Sequence, residues 1–205
     1  MKEMWDQRYS TDSYVYGTEP NEYFRKGLEG LQPGRILLPA EGEGRNAVHA
    51  ARLGWEVSAF DQSSAGRNKA LQLAAEFGVS IDYLLSEFEA VSYPEDSFDV
   101  VALIFAHFFP GQRREYHRRI HRSLKPGGTV ILEGFSTRNL ELVNQGKNAA
   151  GPKNADMLFT TDLIEGDFPD YEILELVEEA IHLGEGDFHN GTASVIRFTG
   201  RKPPV

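Results

Sequence analysis

The sequence predicts a doubly wound α/β fold: a seven-stranded, mostly parallel sheet that ends in an antiparallel β-hairpin. Three observations carry that expectation. From Arg35 to Phe135, short apolar runs alternate with helical stretches at the spacing of strand–helix crossover units. The run Phe98–Phe105 is almost continuously apolar, as a strand covered on both faces is. Past Tyr171 the pattern changes to two long β-like runs joined by a Gly- and Asn-bearing linker.

Residues 1–30 precede the first strand and are polar, with aromatics at Trp5, Tyr9, Tyr14 and Tyr16. Arg35–Pro39 reads as a buried strand, and Gly54 stops a helix over Arg45–Leu53. Trp55–Phe60 is the second strand, ending at Asp61, and Ser63 or Ser64 caps a helix running to Gly78. Val79–Leu85 and Phe98–Phe105 are the third and fourth strands. A helix over Arg113–Leu124 ends at the turn Lys125-Pro126-Gly127-Gly128, and Thr129–Phe135 is the fifth strand. Ser136–Thr160 is a polar stretch at the carboxyl edge of the sheet, carrying Arg138, Lys147, Lys153 and Met157, and a short helix follows around Asp162–Phe168. Tyr171–Leu183 and Thr192–Gly200 form the closing hairpin (171–202), with its turn expected at Asn190-Gly191. No repeat or linker divides the chain, so 1–205 reads as one domain.

The 205 residues carry 21 basic and 31 acidic side chains, a net charge of −10. A field of that sign repels phosphate, so neither nucleic acid nor anionic membrane is an expected partner. No apolar run approaches the ~20 residues that cross a bilayer, and the first residues are too polar for a signal sequence. A soluble cytoplasmic protein, monomer or homodimer, is the expectation. Cysteine is absent, which removes disulfides, zinc–thiolate sites and cysteine nucleophiles. His117 and His121 stand four residues apart among Arg113, Arg114, Arg118, Arg119 and Arg122. Those charges repel a cation, so no metal site is expected. The helix reads as a solvated basic face, the part of the chain best suited to an anionic partner.

Strand one runs into Pro39-Ala40-Glu41-Gly42-Glu43-Gly44-Arg45-Asn46-Ala47. Glycines let a backbone approach a ligand closely, and the helix starting here offers unpaired N–H groups. Gly42-x-Gly44-x-x-Ala47 matches the dinucleotide-binding fingerprint, with Asp61 at the end of strand two to take a ribose. Alone, the match is weak, and a tight strand-to-helix turn is the other reading. Glu87 after strand three and the Lys-Pro-Gly-Gly turn add to it.

With these residues in view, the chain resembles the class I S-adenosylmethionine-dependent methyltransferases over roughly its whole length. Within them it is most similar to the tellurite-resistance and thiopurine (thiol) methyltransferase group. The opening Trp5-Asp6-x-Arg8-Tyr9 and Tyr14-Val15-Tyr16-Gly17-Thr18-Glu19-Pro20-Asn21 resemble that group's N-terminal lid, and Leu38–Asn46 its glycine loop. Ser97-Phe98-Asp99-Val100-Val101 and Leu124–Gly128 are general methyltransferase landmarks. Three departures stand out: Ala40 replaces the first loop glycine, Glu41 replaces the usual cysteine, and Leu38 stands where many methyltransferases carry an acid ending strand one.

The resemblance implies a Rossmann-like methyltransferase fold and S-adenosyl-L-methionine as cofactor. It assigns residues 35–135 to the cofactor-binding core, 1–30 to a lid and 136–160 to a substrate-side loop. The implied cofactor site takes Trp5 and Tyr16 from the lid, and Ala40, Glu41, Gly42, Gly44 and Asn46 from the loop. Asp61 and Gln62 would meet the ribose, Glu87 and Phe88 the adenine, and Phe105 the methionine portion. Aromatic rings suit a sulfonium, and Glu41 is expected near the cofactor's ammonium. His107, after strand four, and His189, in the hairpin loop, are the candidate bases, because ligands bind beyond the carboxyl ends of parallel strands.

The expected reaction is methyl transfer to a small soft nucleophile: a thiol, a selenol or a chalcogen oxyanion. A thiol of pKa about 8.5 is already partly ionised near neutral pH, so alignment and exclusion of water matter more than a base. The alternatives are an NAD(P)-dependent oxidoreductase and a cofactor-binding module without activity. The terminal hairpin, in place of a separate substrate domain, weighs against the first.

Overall fold

The computed structural model describes residues 2–146, 150–186 and 188–204. Among them, seven strands form one sheet: β1 (Arg35–Pro39), β2 (Glu56–Asp61), β3 (Asp82–Leu85), β4 (Phe98–Ile104), β5 (Leu124–Phe135), β6 (Glu172–Glu185) and β7 (His189–Arg201). Their order is β3-β2-β1-β4-β5-β7-β6. The pairs among β1 to β5 are parallel, and β7 runs antiparallel to both β5 and β6. This is the doubly wound, seven-stranded sheet the sequence predicts. The winding reverses between β1 and β4, the switch point beyond whose carboxyl strand ends ligands bind in sheets of this kind.

The apolar runs are strands because both faces are covered. Ile36 and Leu38 of β1 face a core with Phe24, Val48, Val57 and Leu73, which lies under α2 (Glu22–Leu28), α3 (Arg45–Arg52) and α4 (Ser64–Glu76). Leu37 points the other way, into a core with Phe60, Ile120, Ile164 and Phe198, under α5 (Pro110–Ser123) and α7 (Thr161–Asp167). Alternate residues of one strand thus enter two cores.

Four features differ from the sequence reading. Two helices precede β1, namely α1 (Lys2–Tyr9) and α2; α2 is capped by the Asn21 side chain, which accepts the Phe24 N–H. The Ser136–Thr160 stretch contains α6 (Asn139–Asn144) and a 3₁₀ turn at Ala155–Met157, while Lys147 lies outside the described residues. The hairpin ladder continues to the pair Glu185↔His189, so Asn190 and Gly191 sit inside it opposite Gly184 and Leu183. Gly186, at φ +67, takes the left-handed turn position, pressed so close to the Val15 carbonyl that a Cβ would lie 2.2 Å from its oxygen. Finally, the basic helix is not solvated all round. His117 is fully buried, with Nδ1 2.8 Å from the Asp167 carboxylate of α7.

Candidate functional site

β1 ends at Pro39, and the chain turns through Ala40 (φ 54), Gly42 (φ 63) and Gly44 (φ 86) before α3 begins. A Cβ at Gly44 would lie 2.4 Å from the Ala70 Cβ of α4, and one at Gly42 would lie 2.7 Å from the Tyr9 hydroxyl. Ala40 adopts the left-handed conformation that glycine enters most easily. Its side chain is exposed, so the substitution costs about 1–2 kcal/mol of backbone strain and makes no clash.

Asp61 closes β2 against this loop. Its Oδ2 accepts the Gly42 N–H at 3.1 Å, and its Oδ1 accepts the Ser63 N–H at 2.8 Å. Each oxygen keeps a second lone pair, which is what a ribose diol requires. Burial lifts the Asp61 pKa to about 6 against those bonds. Gln62 is half-buried beside it, and Glu87 stands exposed beyond β3, with room to receive an amino group. Phe88 is committed to packing: its ring stacks on Tyr116 at 4.1 Å and meets Phe60 and Phe108 edge-on at 5.2 Å.

Two loop residues hold the frame together. Glu41 Oε1 accepts the Ala47 N–H at 2.7 Å, so its carboxylate caps the first turn of α3 instead of standing free for an ammonium. Burial raises its pKa to about 7. Asn46 turns its Oδ1 to the Asn21 N–H at 2.9 Å and thereby ties the N-terminal segment to α3.

That N-terminal segment has two parts. α1 lies over the glycine loop: Tyr9 is buried against Gly42 and Gly66, Trp5 stacks on Tyr9 at 5.4 Å, and the Asp6 carboxylate accepts Ser63 Oγ and the Ala65 N–H at the start of α4. Residues Val15–Asn21 are pinned from beneath. Glu43 Oε2 accepts the Val15 N–H at 2.8 Å, and Asn21 Nδ2 donates to Glu133 (2.7 Å) and Glu185 (3.0 Å). Beside these contacts, a cavity of about 550 Å³ lies between this segment and the hairpin, with Tyr16, Arg45, Glu133, Glu185 and Arg197 on its walls.

The two candidate histidines have different surroundings. His107 Nε2 accepts the Phe135 N–H at 3.1 Å, so Nδ1 carries the proton and donates to the Met157 carbonyl at 2.8 Å. With both nitrogens engaged and burial driving its pKa down to about 4, His107 braces β5 against the 136–160 segment. His189 has Nδ1 3.1 Å from Glu185 Oε2, and its Nε2 bonds no described residue. Its ring lies 4.4 Å from Tyr16 and 4.4 Å from Phe105, which has φ +53 at the end of β4.

The structure therefore gathers Ala40, Gly42, Gly44 and Asp61 at one end, and Tyr16, Phe105 and His189 at the other. Glu41, Asn46, Phe88 and His107 are turned to packing or capping. Sequence reasoning missed Glu133, Glu185 and Arg45; only Glu133, a carboxylate inside the apolar run Thr129–Phe135, carried a signal. Among the described residues, no group of three or more His, Asp or Glu could hold a metal ion, and no helix is long and apolar enough to cross a membrane.

Comparison with known proteins agrees with this geometry. Residues 36–128 match the methyltransferase domain family. The ubiquinone/menaquinone biosynthesis C-methyltransferase UbiE of Hydrogenovibrio crunogenus is 29% identical over 115 residues, 53% of this chain and 45% of that protein. The chain spans less than half the length of the first curated relatives it matches. TehB from Haemophilus influenzae superposes with a TM-score of 0.73 at 16% identity, over 98% of this chain and 66% of that one. The N-methyltransferase NodS of Bradyrhizobium japonicum, in complex with S-adenosyl-L-homocysteine, gives a TM-score of 0.72 at 14% identity, over 98% of both. UbiE is named a C-methyltransferase and NodS an N-methyltransferase, so these relatives do not single out the tellurite and thiol group. The described chain thus has the Rossmann-like methyltransferase fold, and the stretch that matches the methyltransferase domain family runs from β1 into β5.

Proposed function

We propose that the protein is an S-adenosyl-L-methionine-dependent methyltransferase acting on a small molecule. The observation that carries this reading is the glycine loop locked to Asp61 at the switch point of the sheet, within the matched domain. The bound cofactor would supply a methyl group on a sulfonium. Asp61 would hold the ribose diol, Glu87 the adenine amino group, and the loop backbone would lie along the ligand. Tyr16 and Phe105 would wall the sulfonium end with ring faces that attract a cation and offer it no nucleophile. α1, folded over the loop, would exclude water.

Calorimetry with S-adenosylmethionine and S-adenosylhomocysteine tests the reading. Both should bind, and Asp61→Ala should weaken binding at least about tenfold, as expected for losing hydrogen bonds to a charged group. No heat at millimolar cofactor would refute it.

Two acceptor classes are compatible with this site. The soft-nucleophile reading rests on the resemblance of the loop and N-terminal segment to the thiol and tellurite group, and is supported by the structural likeness to TehB. The free Nε2 of His189 favours an acceptor that must first lose a proton.

A further inference from the structure

On the methyltransferase reading, we infer that His189 is the general base, oriented by Glu185 and Arg45, and that the acceptor is a hydroxyl or an ammonium group rather than a preformed thiolate or oxyanion. Glu185 can only accept hydrogen bonds, so the 3.1 Å contact places a proton on His189 Nδ1 and leaves Nε2 with a bare lone pair. Glu185 is itself held from two sides. Arg45 Nη2 donates to its Oε2 at 2.8 Å, and Asn21 Nδ2 donates to its Oε1 at 3.0 Å. Arg45 is the first residue of α3, directly after Gly44, and its Nη1 also donates to the Tyr16 carbonyl at 3.1 Å. The helix that begins at the cofactor loop therefore also sets the base. The rings of Tyr16 and Phe105 fix the imidazole plane, and Phe105 holds its place through a left-handed backbone, a strain found at working sites.

The proton count closes without another reactant. The acceptor X–H gives its proton to His189 Nε2 while a lone pair on X forms the bond to the methyl carbon. The carbon–sulfur bond breaks with its electrons remaining on sulfur, leaving a neutral thioether. Glu185 stabilises the imidazolium that results. The ionisable groups facing His189 are Glu185 from the hairpin, Arg45 from α3, Arg8 from α1, Tyr16 from the N-terminal segment and, after β4, His107. Burial lowers the His189 pKa, and Glu185 opposes that.

Nitrogen-15 NMR of the full-length protein reads the tautomer of His189 directly. Wild type should show protonated Nδ1 and unprotonated Nε2 at pH 7.5, with a titration midpoint below 6.5. Glu185→Gln should move that midpoint lower, while leaving cofactor affinity within threefold. A second arm screens catechol, a primary amine and thiophenol as acceptors by release of S-adenosylhomocysteine. Turnover of catechol or the amine should fall about 10²–10⁴-fold in His189→Ala, and Glu185→Gln should move the acid limb of kcat against pH along with the NMR midpoint. Protonated Nε2 in the wild type would overturn the inference even if no acceptor is turned over. So would turnover of thiophenol alone, unaffected by His189→Ala. Failure of cofactor binding would instead refute the underlying methyltransferase reading, so the two failures are distinguishable.

Discussion

Glu41 caps α3 with a carboxylate whose pKa burial raises from 4.5 to about 7. A raised acid binds its proton more tightly in the folded chain, so its contribution to stability falls as pH rises from about 4.5 through 7. Glutamine at this position keeps an oxygen for the Ala47 N–H and carries no charge. Glu41→Gln should therefore melt a few degrees above wild type at pH 8 and close to it at pH 5, as followed by calorimetric Tm. An equal difference at both pH values would show that Arg45 already neutralises the carboxylate. Asp61 has the same sign over about pH 3.8–6, so the acid that ends β2 also works against stability near neutral pH. Its presence there is consistent with a ligand role.

At the scale of elements, α1 and the segment Val15–Leu28 are held by different forces. α1 has eight residues and buries only Tyr9, so it is too short to persist without docking. Its attachments are the Asp6 carboxylate at the start of α4 and the aromatic contacts on Gly42 and Gly66. Val15–Leu28 is instead tied to the buried side chains of Glu43, Asn46 and Glu133 and to the half-buried Glu185. Hydrogen exchange over residues 2–9 should be fast in the free protein and slow when S-adenosylhomocysteine is added. Asp6→Ala should speed exchange in α1 and leave Val15–Leu28 protected. If both segments responded together, the whole N-terminus would move as one lid, and the pinning contacts would be too weak to divide it.

Across the whole molecule, Arg197 joins elements from both halves of the chain. From β7 it donates Nε to Glu133 of β5 at 2.5 Å, bonds Glu179 of β6 and lies 5.0 Å from the ring of Tyr23 on α2. Glu133 is fully buried, and burial pushes its pKa up despite this pairing. Removing the arginine would leave a buried carboxylate with Asn21 as its remaining partner. Arg197→Met should cost about 3–5 kcal/mol in chemical denaturation, and adding Glu133→Gln should recover more than half. An additive double mutant would show that Arg197 stabilises the sheet by packing alone.

The residues that were legible in the sequence are those whose environment is written locally. Strands β1 and β4 are covered on both faces, so they read as unbroken apolar runs. Gly42 and Gly44 show because their left-handed positions are packed too closely against Tyr9 and Ala70 to admit a Cβ, and Asp61 shows because it ends a strand beside that turn. His189 was legible only as one of two candidates, and the residues that hold it left no such mark. Arg45 reaches Glu185 across 140 residues, and Asn21 reaches Glu133 and Glu185 across 112 and 164. Before the chain folds, each is a polar residue in a polar stretch. α1 and α2 were not read as helices because docking, and not an apolar periodicity, stabilises them. The hairpin turn was misplaced for a similar reason: the Asn-Gly pair is a strong local signal, but the ladder with β6 extends past it to Glu185↔His189. Local chemistry determined the sheet, the glycine loop and the acid that ends β2. Tertiary structure decided which buried charges meet, because that depends on distances between residues far apart in the chain.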